Sequence, residues 1–150
     1  MGLLSILNYA HKLIEQRILP GETAVDATAG NGSDTLFLAK LVGEQGAVHA
    51  FDIQQQALLA TAQRLAQMQP DYSNVRLHLR DHAELYEAVP EAAQQGIGAI
   101  MFNLGYLPGG DHHSVTAPHS TILALKGAVA ALRKGGIMTI VVYTGHPGGP

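Results

Sequence analysis

An open α/β sheet, doubly wound, with parallel strands in the order 3-2-1-4-5, is the fold class this sequence predicts. Three observations lead there. Short apolar runs alternate with longer segments of helical periodicity, the runs are almost continuously hydrophobic, and the first of them leads directly into a glycine-rich turn. With 150 residues and 47% hydrophobic content, the chain has material for one core, so a single domain over residues 1–150 is expected.

The elements follow in order. Leu3, Leu4, Ile6, Leu7, Ala10, Leu13, Ile14 and Ile18 recur at helical spacing until Pro20-Gly21 stops the pattern. Thr23 to Ala27 is a short β-compatible run ending in Ala29-Gly30-Asn31-Gly32, after which Ser33 or Asp34 is expected to cap a helix reaching Leu41. Ala47 to Phe51 forms a second strand ending at Asp52. Ala57, Leu58, Thr61, Leu65 and Met68 mark the next helix, which closes before Pro70. Val75 to Leu79 is the third strand, ending at Asp81, and Ile97 to Phe102 is the fourth, followed by a polar glycine-rich stretch from Asn103 to Ala117. A helix from Pro118 to Leu132 suits proline in its first turn, and Lys134-Gly135-Gly136 separates it from a fifth strand, Ile137 to Tyr143. Right-handed crossovers set strands one and four side by side at the point where the winding reverses. The loops after Asp26 and Phe102 are therefore expected to meet there, beyond the carboxyl ends of the strands.

Composition narrows the chemistry. Charged residues make up 14% of the chain and the formal charge is −3, so no broad basic field is available to grip nucleic acid by electrostatics alone. The absence of cysteine excludes disulfides, thiolate metal sites and cysteine nucleophiles. Met1 to Leu19 carries His11, Lys12, Glu15 and Arg17 and has neither a basic leader nor a small-residue cleavage site. No apolar run approaches the roughly 20 residues of a spanning helix, and a soluble cytoplasmic protein without a membrane partner is expected.

Gly30-x-Gly32 after a strand lets backbone approach a ligand, and the following helix offers free N–H groups; a simple tight turn would look the same. The residues after Gly32 are Ser33-Asp34-Thr35, so the lysine of a triphosphate loop is missing. Thr35 stands where a dinucleotide fingerprint has its third glycine, and Asp26 and Asp34 would repel a pyrophosphate. A phosphate-free ligand with a cationic end is indicated, and S-adenosylmethionine meets both conditions. Asp52, 20 residues beyond Gly32, can accept both ribose hydroxyl protons. Asp81 can accept adenine amino hydrogens or act as a plain helix cap, and both readings stay open. The cofactor candidates are Asp26, Thr28, Gly30, Asn31, Gly32, Asp34, Thr35, Asp52, Ile53, Gln54, Asp81, His82 and Asn103.

The stretch from Val25 to Ala39, VDATAGNGSDTLFLA, resembles a bacterial family labelled rRNA methylases, class I methyltransferases with a Rossmann-like fold. Phe51-Asp52-Ile53-Gln54, the run from Phe102 to Asp111 (FNLGYLPGGD) and Gly145-His146-Pro147-Gly148-Gly149 are similar to further segments of that family. The resemblance implies transfer of a methyl group from S-adenosylmethionine to the 5-aminomethyl group of a wobble uridine in tRNA, giving 5-methylaminomethyl(-2-thio)uridine. Members of that family continue past the glycine-proline segment with another helix and closing antiparallel strands, whereas this sequence stops at Pro150. A shortened core is therefore expected, with the fifth strand exposed or paired in a homodimer.

Asn103-Leu104-Gly105-Tyr106 resembles the Asn-Pro-Pro-Tyr loop of amino-methyltransferases. By that likeness the Asn103 side-chain oxygen and the Leu104 carbonyl accept amine hydrogens, and Tyr106 stacks on a base; a polar turn with a buried asparagine cap is the plainer reading. Gly109, Gly110 and His146 are the remaining substrate-side candidates. His112, His113 and His119 lie in or beside a glycine-rich segment without a matching carboxylate pattern, so no metal is expected. The competing functions are methylation of rRNA or of a small-molecule amine, and a cofactor-binding module without catalysis.

Overall fold

The computed structural model describes residues 2–68, 73–104 and 118–142. Helix α1 (Leu3–Glu15) leads into β1 (Thr23–Asp26), α2 (Ser33–Val42), β2 (Ala47–Asp52), α3 (Gln55–Ala66) and β3 (Val75–Leu79). A 3₁₀ turn (His82–Glu84), the one-turn helix α4 (Leu85–Ala88) and a second 3₁₀ turn (Pro90–Ala93) then lead to β4 (Ile97–Leu104), α5 (Pro118–Ala131) and β5 (Leu132–Val142). The five strands are parallel in the order β3-β2-β1-β4-β5, as the sequence predicts.

Alternation along the strands divides the core between the two faces. Val25, Phe51, Ile100 and Phe102 face α4 and α5, where they meet Leu85, Ala124, Ala128 and Ala131. Ala24, Val48, Ala99 and Met101 face the other way, onto Ile14 of α1 and Leu38, Ala39 and Val42 of α2. A third cluster sets Leu58 of α3 on Ala29 and Ala50. Phe51 and Phe102 are almost fully buried, and each side chain of this size stabilises the fold by about 1.5–3 kcal/mol. Every residue of β1 is buried, so the central strand delivers Asp26 to its carboxyl end within the core.

At the amino edge of the sheet, polar groups close on one another. Arg133 donates from Nε to Glu22 Oε2 at 2.5 Å and from Nη2 to Glu22 Oε1 at 2.9 Å, while Leu19 N donates to Oε1 at 2.8 Å. Arg133 Nη2 also reaches the Arg17 carbonyl at 3.1 Å, tying the linker after α1 to the start of β5. The space at Gly98 is taken by this pair: a Cβ there would lie 2.7 Å from Glu22 Oε2. A second polar chain crosses the sheet, in which His49 Nδ1 lies 3.0 Å from His78 Nε2, and His49 Nε2 lies 3.0 Å from Glu91 Oε2. Thr23 Oγ1 donates to the same Glu91 oxygen at 3.2 Å.

Three local expectations are corrected. The N-cap of α2 is Gly32 in the left-handed region, without a side-chain cap bond, rather than Ser33 or Asp34. The turn made by Gly30 and Gly32, both at positive φ, already directs the chain into the helix. β5 starts at Leu132, not Ile137: Leu132 pairs with Ile97 and Ile137 with Ala99, so a register shift absorbs Lys134-Gly135-Gly136 inside the strand. β4 continues past Phe102 to Leu104, carried by pairing with β5. Among the described residues no helix is long and apolar enough to cross a membrane.

Candidate functional site

The carboxyl ends of β1, β2 and β4 converge on the glycine turn. Asp26 ends β1 fully buried; its Oδ1 accepts from Thr28 N at 3.1 Å and its Oδ2 from Thr35 Oγ1 at 2.7 Å. Burial, then the nearby charge of Asp34 and more weakly that of Asp52, push the Asp26 carboxyl up to about 7 against the pull of these hydrogen bonds. Thr35 is wholly buried behind the turn and braces Asp26.

Asp52 grips the turn from the next strand. Its Oδ2 accepts from Gly30 N at 3.1 Å and its Oδ1 from Gln54 N at 2.9 Å. Each oxygen keeps a further lone pair for a ligand hydroxyl. Asn31 closes an Asx turn, its Oδ1 accepting from Ser33 N at 3.0 Å, and its carbonyl accepts from Arg64 Nε of α3 at 2.9 Å. Gly32 sits at φ +87°, and a Cβ on it would come 2.8 Å from Thr61 Cα, so the turn and α3 approach each other as closely as backbone allows.

The predicted meeting of the two loops is present. Asn103 N donates to Thr28 Oγ1 at 2.7 Å, joining the end of β4 to the turn after β1. Among the described residues, Asn103 Oδ1, Gln54 Oε1 and His82 Nε2 are buried without a hydrogen-bond partner. His82 donates from Nδ1 to the Ala27 carbonyl at 3.2 Å, which leaves Nε2 as a bare acceptor in the neutral ring. Burial pushes the His82 imidazole down, favouring that neutral form. Ile53 is exposed beside Asp52, and Leu104 is partly buried against the α5-side core.

Asp81 has the geometry of a cap. Its Oδ1 accepts from Ala83 N at 2.9 Å, and both of its oxygens take the Ser120 hydroxyl, at 2.6 and 2.7 Å. Burial raises its carboxyl, but the Ser120 and Ala83 hydrogen bonds outweigh that and hold it below the usual range. Asp34 points to α1, where His11 Nε2 lies 2.7 Å from its Oδ1 and the His11 ring stacks on Phe37 at 3.8 Å.

Gly105, Tyr106, Gly109, Gly110, His112, His113 and His146 lie outside the described residues. Among the described residues no group of three or more His, Asp or Glu side chains is arranged to hold a metal ion. Sequence reasoning missed His11, Arg64 and Ser120 as partners of the site. A histidine between Ala10 and Leu13 on a largely apolar helix is the only trace of the first, and nothing local marks the other two.

Two carboxylates that fix the turn, no lysine to meet phosphate, and unpaired acceptors on Asn103 and Gln54 suit a ligand that brings hydrogen-bond donors and positive charge. S-adenosylmethionine has that donor set.

Comparisons with known proteins show the family. A family model described as "Putative rRNA methylase" matches residues 48–150. The chloroplastic tRNA (mnm(5)s(2)U34)-methyltransferase of Arabidopsis thaliana is 43% identical, over 93% of this chain and 53% of its own length. The chain thus spans about half the length of that curated relative. A Clostridium thermocellum crystal structure carrying the same description as the family superposes with a TM-score of 0.86 at 43% identity, covering 93% of this chain and 73% of that one. A Streptococcus mutans methyltransferase homologue crystallised in complex with SAH gives 0.80 at 38% identity, covering 91% and 72%.

Proposed function

This chain belongs to the rRNA methylase family, and from that membership we propose that it is an S-adenosylmethionine-dependent methyltransferase acting on the 5-aminomethyl group of wobble uridine in tRNA. The supporting observation is the 2.7 Å bond from Asn103 N to Thr28 Oγ1, which joins a carboxylate-flanked turn to an asparagine whose side-chain oxygen has no partner among the described residues. The relative at 43% identity is named for that tRNA position.

When bound, the cofactor supplies a methyl group on a positively charged sulfur. The residues of the chain do the remaining work. Asp26 and Asp52 hold the turn in shape, and Asp52 retains lone pairs for ribose hydroxyls. Thr28, Gly30, Asn31 and Gly32 shape the wall, with Ile53 and Gln54 bordering the adenosine end and Asp81 and His82 the adenine. Asn103 Oδ1 and the Leu104 carbonyl accept two hydrogens of the substrate amine, so its lone pair faces the methyl carbon. Holding reactants in such a geometry lowers a barrier by up to roughly 7–11 kcal/mol, so a strong general base is not needed provided the amine arrives unprotonated. Tyr106, Gly109, Gly110 and His146 are assigned to the anticodon region of the tRNA. A cytoplasmic location and a homodimer belong to the same reading.

The test incubates the chain with S-adenosylmethionine and tRNA carrying the 5-aminomethyl group, followed by mass spectrometry of the nucleosides. One methyl added to the wobble nucleoside, and none on tRNA lacking the aminomethyl group, is expected. Cofactor binding without transfer would reduce the proposal to a binding module, and methylation of both tRNAs would move the target elsewhere.

A further inference from the structure

Asp81 is bonded as a cap and is still short of donors. Its Oδ1 accepts from Ala83 N at 2.9 Å, and the one hydroxyl hydrogen of Ser120, on α5, is shared between Oδ1 at 2.6 Å and Oδ2 at 2.7 Å. A carboxylate offers about four lone-pair sites, so acceptor capacity remains. Among the described residues no arginine or lysine pairs with Asp81, and Arg80 beside it turns to Glu84 at 2.8 Å. The Asp81 side chain is 42% exposed, which leaves it within reach of a ligand. His82 Nε2, buried and without a partner among the described residues, lies 4.0 Å from Asp81 Oδ1. With Nδ1 donating to the Ala27 carbonyl, the neutral ring has only a lone pair there, so two acceptors confront each other with no hydrogen between them. The place is next to the ribose acceptor: Leu79 pairs with Asp52, and Arg80 N donates to the Asp52 carbonyl at 3.1 Å.

We propose that Ser120 is a positioning residue that sets base specificity in the cofactor site: it locks Asp81 into an edge made of acceptors alone, which takes the amino group of adenine and rejects a six-oxo purine. This rests on the reading of the ligand as S-adenosylmethionine. Ala83 N fixes only Oδ1, and about that point the carboxylate plane could turn and leave Oδ2 without a direction. The Ser120 hydroxyl holds both oxygens at once. Its hydrogen is committed to them, so the serine oxygen also presents nothing but lone pairs outward. Adenine brings two amino hydrogens to such an edge. A six-oxo purine brings a carbonyl whose lone pairs meet lone pairs, and its one ring hydrogen sits on the neighbouring atom. A site built of unfilled acceptors discriminates strongly against a ligand that cannot fill them.

The test is calorimetric affinity for S-adenosylhomocysteine and for S-inosylhomocysteine, which differ only at the six position of the base, on the parent chain, Ser120→Ala, Ser120→Thr and Asp81→Asn. The parent should prefer the adenosyl compound by roughly 10- to 100-fold. Ser120→Ala should cut that ratio by roughly 5- to 10-fold, through weaker binding of the adenosyl compound. Ser120→Thr keeps the hydroxyl and should keep the parent ratio. Asp81→Asn supplies an amide donor to a carbonyl and should give the lowest ratio of the four. A ratio unchanged in Ser120→Ala or in Asp81→Asn, even where both affinities fall, would overturn the inference and leave Ser120 as a tether between α5 and the turn after β3. So would a Ser120→Thr ratio as low as that of Ser120→Ala, or a parent chain that binds the two compounds alike. If the parent binds neither compound, the functional reading fails instead.

Discussion

The two edges of the sheet use buried polar groups in opposite ways. At the amino edge the acceptors are supplied: both Glu22 oxygens are bonded, and Glu91 takes His49 and Thr23 on one oxygen. At the carboxyl edge Asn103 Oδ1, Gln54 Oε1 and His82 Nε2 are buried and have no partner among the described residues. An unpaired buried polar atom costs about 1–3 kcal/mol, so its persistence marks a place arranged for something other than stability. The fourth such atom, Thr139 Oγ1 in β5, has no explanation in this structure. The comparison teaches that closure of hydrogen bonds, more than burial, separates scaffold from site here.

Substitutions should respect that division. The largest effect is expected from Asn103→Ala: kcat for tRNA falls by roughly 10²- to 10³-fold while cofactor Kd changes by less than about threefold, since the lost contact is the one proposed to the reacting amine. Single-turnover kinetics with parallel calorimetry check this, and equal losses in both would merge the two halves of the site. Next comes Asp26. Its carboxyl is raised from 3.8 to about 7, so the unfolded chain gives up its proton first as pH rises. The stabilisation from the protonated form is complete below pH 3.8, declines between there and about pH 7, and is absent above. Asp26→Asn should remove that slope, worth on the order of a few kcal/mol, from urea titrations of the ligand-free chain.

Glycine substitutions sharpen the comparison inside the turn. Gly32→Ala meets both a left-handed φ and the Thr61 backbone and should cost about 2–3 kcal/mol, whereas Gly30→Ala, with 3.8 Å of room, should cost about 1 kcal/mol. Thermal unfolding of the two variants gives the difference. The smallest effect is at the amino edge. Arg133→Met should lower stability by about 1–2 kcal/mol and leave cofactor Kd unchanged; a weakened Kd would show that the two edges are coupled.

Much of this division was legible in the sequence. The strand ends at Asp26 and Asp52, the turn between them and the approach of Asn103 follow from apolar runs, glycine spacing and the handedness of crossovers, all of which act locally or by rule. The early start of β5 was hidden because Lys134-Gly135-Gly136 has the composition of a break, and only pairing of Leu132 with Ile97 overrides it. The turns over residues 82–93 are too short to show a period. His11 with Asp34, Ser120 with Asp81 and Arg133 with Glu22 join residues 23, 39 and 111 positions apart, and no local pattern records such pairs. The residues assigned to the tRNA side lie outside the described part of the chain.

The occupied space above Gly98 has a genetic corollary. Any side chain there would push the Glu22 carboxylate off Arg133 and Leu19 together, because all three claims on that carboxylate are met at one spot. Once Glu22 is shortened, the three nearest obstacles to a side chain at position 98 are gone. In a library randomised at both positions, survivors with a larger residue at 98 should therefore almost always have replaced Glu22 as well, so that one locus sets the alphabet permitted at the other.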